Sequence, residues 1–371
     1  MSAPGYSLRG DWLLWTLLGL FLSLSLWHPG AIRAYPGLVD WPTMETLAGL
    51  LLLTAGIEAS GFLHRLAARI TQRIHDERSL ALFLVATGVL LAAVLTNDIA
   101  LFIMVPLTLT LADYATLPVA RLVAFEALAV NAGSMATPIG NPQNIFLWQS
   151  SGARFFEFMQ AMLVPTLIAV VCLLLFTLLA FRPRAIVLQP VAGSIQVRWP
   201  LFALSGCLFV PFIIAADMRH ADLALLVVAG VYLVFHRRVL RRLDWPLLLV
   251  FLLMFVDLRL VADLPMVTAW LGQLEPMRRA DLYLAAVGLS QFISNVPSTI
   301  LLSGHSPDWR VLAWGADMGG FGLAVGSLAN LIALRLAGTR GNLRTFHAWA
   351  APFLLLAGGL AYLWLVTHAG S

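Results

Sequence analysis

The chain has 371 residues, 60% of them apolar and only 11% charged, with a net charge of +4. A soluble domain carries about 25% charged residues, so a water-soluble globule, a disordered chain and a nucleic-acid binder are excluded. All 23 basic residues are arginine, which leaves no lysine for a Walker-A loop or a Schiff base. The two cysteines, Cys172 and Cys207, sit in apolar runs and suggest neither a disulfide framework nor a thiolate metal site. What remains is an all-α polytopic membrane protein.

A spanning helix needs about 20 mostly apolar residues. The first such run, Trp12–Trp27, leads into a loop ending at residue 39. Ala31-Ile32-Arg33-Ala34 loosely resembles a cleavage site, so this run reads either as a retained helix or as a signal peptide. A first unit follows over residues 40–181. It holds a span at Thr43–Leu63 and an amphipathic segment, Phe62–Arg78, with Phe62, Leu66, Ile70 and Ile74 on one face. That pattern predicts a helix lying on the membrane interface. Next come Leu80–Ala112, interrupted by Thr96-Asn97-Asp98, then Val119–Trp148 with a polar, glycine-rich middle, then the span Phe158–Phe181. Residues 182–243 form a linker with spans at Trp199–Ala216 and Leu223–Phe235. A second unit, residues 244–371, repeats the order. It has a span at Trp245–Ala262 and Leu282–Leu302 interrupted by Ser294-Asn295-Val296-Pro297. A polar-centred Trp309–Leu334 and a closing span at Phe346–Val366 complete it.

If the two interrupted runs are re-entrant hairpins, sixteen arginines collect on one side of the membrane and six on the other. The richer side is then cytoplasmic, which places the N-terminus in the cytoplasm and the C-terminus in the periplasm, in an inner membrane. If either run crossed instead, the arginine-rich loops would fall on opposite sides.

The two units echo each other three times in the same order. Asp40-Trp41-Pro42 is matched by Asp244-Trp245-Pro246, and Thr96-Asn97-Asp98 by Ser294-Asn295-Val296. The segment 131–144 aligns without gaps on 317–330, setting Asn131 on Asp317, Gly133 on Gly319, Gly140 on Gly326 and Asn144 on Asn330. The arginine bias starts one unit outside and the other inside, so the repeats are expected to be inverted. That is the architecture of many secondary transporters, whose sites lie where the repeats meet.

The residues at the interruptions suit such a site. Pro138 and Pro142 remove backbone donors, and Gly133 and Gly140 permit close approach. Freed carbonyls can ligate a cation, and the following helix N-terminus favours an anion. Thr96, Asn97, Ser134, Thr137, Asn141 and Asn144 add neutral oxygens suited to Na⁺. The bland reading of one such feature is a proline kink with capping groups; two tips and two breaks in register argue against it.

Thr96-Asn97-Asp98-Ile99-Ala100 with Val105-Pro106, the segment Asn131–Asn144, and Ser290–Thr299 resemble the ion transporter superfamily. That group includes divalent anion/sodium symporters, citrate carriers, arsenite permeases and some sodium/proton antiporters; within it the chain resembles the small YbiR-type inner membrane proteins. The resemblance implies a homodimer embedded in membrane lipid, two inverted repeats, and no cofactor beyond Na⁺ or H⁺ as coupling ion. It implies a first clamp of Thr96, Asn97 and Asp98 with Ser134, Thr137, Gly140 and Asn144. A second would use Ser294 and Asn295 with Gly320, Gly322, Gly326 and Asn330. Na⁺ is expected at Asn97, Asp98, Ser134 and Thr137. Asp98 stands where the symporters have a threonine, Val296-Pro297 lacks the second-tip hydroxyl, and Asp317 replaces the asparagine of the first repeat.

Acids inside a membrane are functional candidates by default. Asp98 could ligate Na⁺ when ionised and carry H⁺ when protonated, or cap the second hairpin arm. Asp317 is read either as a coupling residue or as a cap. Glu126 and Glu58 are weaker candidates. Asp257 and Arg259, two residues apart, cannot face each other and need partners elsewhere. The expected function is alternating-access transport of a small anion or oxyanion, coupled to Na⁺ or H⁺. One rival is a Na⁺/H⁺ antiporter using Asp98. An intramembrane enzyme lacks both a Gly-x-Ser-x-Gly elbow and a His-Glu-x-x-His motif.

Overall fold

The computed structural model describes residues 12–27, 29–62, 65, 76–114, 116–186, 196–266, 278–304 and 308–368. In chain order the helices are α1 (Trp12–Trp27), α2 (Tyr35–Leu38), α3 (Trp41–Ala59), α4 (Glu77–Val94), α5 (Asn97–Tyr114) and α6 (Val119–Ser134). They continue with α7 (Pro142–Ser151), α8 (Phe155–Ala180), α9 (Trp199–Asp217), α10 (Ala221–Phe235), α11 (Arg237–Leu240) and α12 (Trp245–Ala262). The last are α13 (Arg279–Ile293), α14 (Asn295–Ser303), α15 (Trp309–Gly319), α16 (Leu328–Ala337) and α17 (Leu343–Thr367). Among the described residues there is no β-strand, as the apolar composition predicts. Among the described residues, four helices, α4, α8, α9 and α17, are long and apolar enough to cross a membrane.

The helices gather into two compact units, each drawing on separated parts of the chain. The first comprises residues 1–59, 200–276 and 300–307. Within it α3 packs on α10 and α12, and α1 on α12. Gly49 admits the Phe212 ring, and Gly56 admits Tyr232 and Ser205, whose hydroxyls share a 2.6 Å hydrogen bond. The paired Asp-Trp-Pro motifs act alike here. Asp40 accepts the Thr43 N–H and Asp244 the Leu247 N–H, each at 3.0 Å, starting α3 and α12. An aspartate before a first-turn proline is a strong helix start.

The second unit comprises residues 60–199, 277–299 and 308–371. Its elements come twice in the same order: two helices joined at a tip, a helix interrupted midway, and a long closing helix. In the first set α5 folds back on α4, α6 and α7 form the interrupted helix, and α8 closes. In the second, Ser298 Oγ reaches the Ala286 carbonyl at 3.3 Å, so α14 folds back on α13. There α15 and α16 form the interrupted helix and α17 closes. In each set the first hairpin arm packs on the first half of its own interrupted helix. Glycine makes this possible at matched positions. A Cβ on Gly133 would lie 2.1 Å from the Val89 carbonyl oxygen, and one on Gly319 would lie 2.5 Å from Ser290 Cβ.

Element ends differ from expectation by a few residues, for local reasons. Helix α3 stops at Ala59 rather than Leu63 because Gly61 turns the chain at φ +77°. The first tip is Leu95-Thr96, and Asn97 and Asp98 already belong to the first turn of α5. The second tip is Ser294 alone, and Pro297 is accommodated in the first turn of α14, where its missing N–H has no helical partner to lose. The interrupted segments narrow to residues 135–141 and 320–327. The expected interfacial helix over Phe62–Arg78 falls largely on residues 63, 64 and 66–75, which lie outside the described residues.

Candidate functional site

Both interrupted helices bring their breaks into one buried polar cluster in the second unit. Helix α6 ends on Asn131 and Ser134, and α7 restarts with Asn141 as N-cap, its side chain accepting the Asn144 N–H at 2.9 Å. Helix α15 ends near Asp317, and α16 restarts with Ser327 as N-cap, accepting the Ala329 N–H at 3.3 Å. Prolines 138 and 142 and glycines 140 and 326 allow these breaks. A Cβ on Gly140 would sit 2.2 Å from the Ser134 carbonyl oxygen, and one on Gly326 would sit 2.7 Å from that of Gly319.

The contacts between the two breaks are reciprocal. Asn131 donates to Asn330 Oδ1 at 2.8 Å and accepts from Ser327 Oγ at 3.1 Å. Its aligned counterpart, Asp317, accepts from the counterparts of those residues, Asn144 at 3.0 Å and Asn141 at 3.1 Å. Gln143 adds a third bond to Asp317 at 2.9 Å. Each second-half asparagine also reaches back to an aligned carbonyl: Asn144 to Ser134 at 3.4 Å and Asn330 to Gly320 at 2.9 Å. Helix C-terminal carbonyls lack intrahelical partners, so these carboxamides satisfy groups that the breaks expose.

Asp317 is 2% exposed, and its carboxylate rests on the first turn of α7. Three carboxamide donors, from the N-cap and first turn of α7, converge on it. The site is thus built around a carboxylate. It also holds buried acceptors without partners among the described residues, Gln143 Oε1, Asn144 Oδ1 and Thr96 Oγ1.

The hairpin tips lie against these breaks. The Asn97 N–H donates to the Gly140 carbonyl at 2.8 Å, and Thr137 Oγ1 to the Ala93 carbonyl at 2.9 Å. At the second tip, Asn295 Nδ2 lies 3.1 Å from where a Cβ on Gly320 would be. Thr96, Asn97, Asp98, Asn131, Ser134, Thr137, Asn141, Asn144, Asn295, Asp317 and Asn330 are all buried. Of the four oxygens expected to ligate Na⁺, Ser134 Oγ already donates to the Asn131 carbonyl and accepts from Asn141, and Thr137 is bonded as above. Asn97 Oδ1 accepts the Asp98 N–H at 2.9 Å. Ser294 adopts φ +73°, ψ 157°, a region that favours glycine and costs other residues about 1–3 kcal/mol.

Several polar groups near the site escape sequence reasoning. Gln143 lies inside the Asn131–Asn144 motif, but nothing in the spacing says it turns toward Asp317. Ser327 carries the ordinary signal of an N-cap before an apolar run. Gln291 spans the second break, donating to the Gly319 carbonyl at 2.6 Å and accepting the Leu323 N–H at 2.8 Å. His347 Nε2, from α17, accepts the Ala324 N–H at 3.0 Å. Glu126, by contrast a candidate from the sequence, is fully buried and accepts from Thr108 Oγ1. In the first unit Asp257 is fully buried, and neither carboxylate oxygen has a hydrogen-bond partner among the described residues, so the expected pairing is not found there.

A family described as citrate transporter matches residues 13–315. The chain is 43% identical over 369 residues to inner membrane protein YbiR of Escherichia coli, covering 99% of each chain. It is 30% identical over 332 residues to an uncharacterized transporter of Methanocaldococcus jannaschii, covering 88% of this chain and 87% of the other. It is 29% identical over 153 residues to a silicon efflux transporter of rice, covering 41% of this chain and 31% of that one. With a family match over most of its length, the chain belongs to the citrate transporter family of the ion transporter superfamily and is a multi-pass inner-membrane secondary transporter, not an enzyme.

Proposed function

We propose that this transporter moves a small anion or oxyanion by alternating access, coupled to Na⁺ or H⁺. The observation that carries the reading is Asp317 seated on the first turn of α7 under three carboxamide donors. A buried site that holds a protein carboxylate has the donors and the helix end needed for a carboxylate or oxyanion from outside. An incoming anion would compete with Asp317 for the same donors, and a cation or proton on Asp317 would release them. Coupling then follows from chemistry: the ion that neutralises Asp317 makes room for the substrate. Thr96 and Asn97 at the first tip, with Ser134, Thr137 and Gly140, form the proposed cation side of the site, where Asp98 supplies a second acid. The reciprocal Asn131–Asn330 and Asp317–Asn144 contacts support two inverted units related by an axis through the breaks. The same reading has the N-terminus cytoplasmic and the protein a homodimer. The family description and the name of the rice relative set the substrates to try: carboxylates and metalloid species.

The test uses the full-length protein in proteoliposomes. Uptake of labelled citrate, a four-carbon dicarboxylate, arsenite and silicic acid is measured with and without opposing Na⁺ and pH gradients. Saturable, gradient-dependent uptake of one of them, lost in Asp317→Asn, is expected. Prompt Na⁺-driven proton flux with no organic substrate, lost in Asp98→Asn, would replace this reading with cation/proton antiport.

A further inference from the structure

At one end of the second unit, the starts of α4 and α6, the end of α8, residues 116–118 and Trp349 of α17 line a pocket of about 590 Å³, within the range of small-ligand sites. Three arginines line it, Arg121, Arg182 and Arg184, against one carboxylate, Glu77. The Arg121 guanidinium is held in place: Nη1 donates to the Ala180 carbonyl at 2.7 Å, and the group lies over the Phe181 and Trp349 rings at 5.5 and 5.9 Å. Arg182 and Arg184 sit on a short extended segment pinned by its backbone. The Glu77 N–H donates to the Arg184 carbonyl at 2.9 Å, and Asp76 bridges to Ala185. Ion pairs such as Arg279–Asp308 and Arg310–Glu157 lie elsewhere, and among the described residues none of the three pocket arginines forms one. The rim is apolar on the side of α8, where Leu179 is 81% exposed at the end of a helix long enough to cross the membrane.

We propose that this pocket binds the phosphate of an anionic phospholipid headgroup, with the lipid chains running along the exposed apolar face of α8. Planar guanidinium groups match phosphate oxygens bidentately, and an indole ring suits the headgroup level. The pocket opens where a spanning helix ends, and an apolar rim serves a lipid better than it serves a free ion. It also belongs to the arginine-rich side of the chain, the side expected to face the anionic cytoplasmic leaflet.

The experiment is native mass spectrometry of the purified full-length protein titrated with phosphatidylglycerol or phosphatidylcholine, alone and with inorganic phosphate added. Wild type should retain phosphatidylglycerol in preference to phosphatidylcholine, and 10 mM phosphate, a concentration of about physiological order, should leave that retention unchanged. Arg182→Gln with Arg184→Gln leaves the Arg121 anchor intact and should weaken phosphatidylglycerol binding by about 30-fold, roughly fivefold per arginine. Arg237→Gln with Arg238→Gln removes the same charge elsewhere and should change it less than about twofold. Equal retention of the two lipids, or unchanged binding in the pocket variant, overturns the proposal. Equal loss in both double variants would show bulk attraction and also overturn it. Displacement of lipid by phosphate would assign the pocket to a free anion instead.

Discussion

Asp317→Asn tests the centre of the site. The carboxylate accepts Asn141 and Gln143 on Oδ1 at 3.1 and 2.9 Å, and Asn144 on Oδ2 at 3.0 Å. A carboxamide in its place keeps one oxygen. If that oxygen takes the Oδ1 position, two bonds survive as neutral ones, and the new NH₂ faces the Asn144 NH₂. The two surviving bonds lose about 1 kcal/mol each relative to charge-assisted bonds, and the stranded Asn144 donor costs about 1–3 kcal/mol. Removing a buried charge returns part of its desolvation cost, so the net loss should be about 1–3 kcal/mol. The decisive comparison is the cycle with Asn144→Asp. Alone, that change sets two carboxylates against each other and should be worse than Asp317→Asn. Together, the two changes exchange donor and acceptor across the same contact and should recover stability, with a coupling of about 2 kcal/mol or more. Denaturant unfolding of the detergent-purified variants measures the cycle, and proteoliposome uptake accompanies it. Stability should return in the double variant while transport stays low, because the carboxylate now sits on the other helix. A coupling below about 0.5 kcal/mol would refute the contact and the reasoning built on it.

Gly140→Ala would force a methyl to 2.2 Å from the Ser134 carbonyl oxygen and 2.6 Å from its Cα. Backbone cannot yield as a side-chain end can, so a loss of at least about 3 kcal/mol is expected, read as loss of the monodisperse gel-filtration peak. Ser294→Gly should do the reverse, raising stability by about 1 kcal/mol because Ser294 stands at φ +73°, ψ 157°. Thermal unfolding checks it, and a drop in transport alongside higher stability would give the Ser294 hydroxyl a functional role. Asp76 caps α4, accepting the Ser79 N–H at 2.9 Å, and its bonds to Ser79 hold its carboxyl below the ordinary 3.8. Asp76→Ala should cost about 1 kcal/mol near neutral pH. The folded pKa is lowered, so this contribution is present above the unfolded value and fades as pH falls through the folded one. Wild type and variant should therefore converge in stability only once the pH lies well below 3.8, under the lowered folded value, and a gap that persists there would assign the effect to helix propensity instead.

Much of this protein is written locally. Asp40-Trp41-Pro42 and Asp244-Trp245-Pro246 each carry a cap and a first-turn proline, and both start helices in the structure. The interruptions at Thr96, Ser294, Pro138-Gly140 and Gly320–Gly326 are legible because glycine, proline and short polar residues break helices wherever they cluster. Apolar runs of membrane length announce the spans, although their ends shift by a turn where a residue such as Gly61 bends the chain. The gapless alignment of 131–144 on 317–330 pairs residues with corresponding roles, Asn131 with Asp317 and Asn144 with Asn330, but not the contacts that join the breaks, Asn131 to Asn330 and Asn144 to Asp317. What no local pattern contains is direction. Gln143 turning to Asp317, Gln291 bridging Gly319 and Leu323, His347 accepting from Ala324, and Glu126 bonding Thr108 all join groups from different helices. A carboxamide or imidazole on a buried helix must find a partner somewhere, because an unpaired polar group is costly there. Which partner it finds depends on how two helices lie against each other. Gly133 and Gly319 set that by letting backbones close to contact, so only the packed structure decides it.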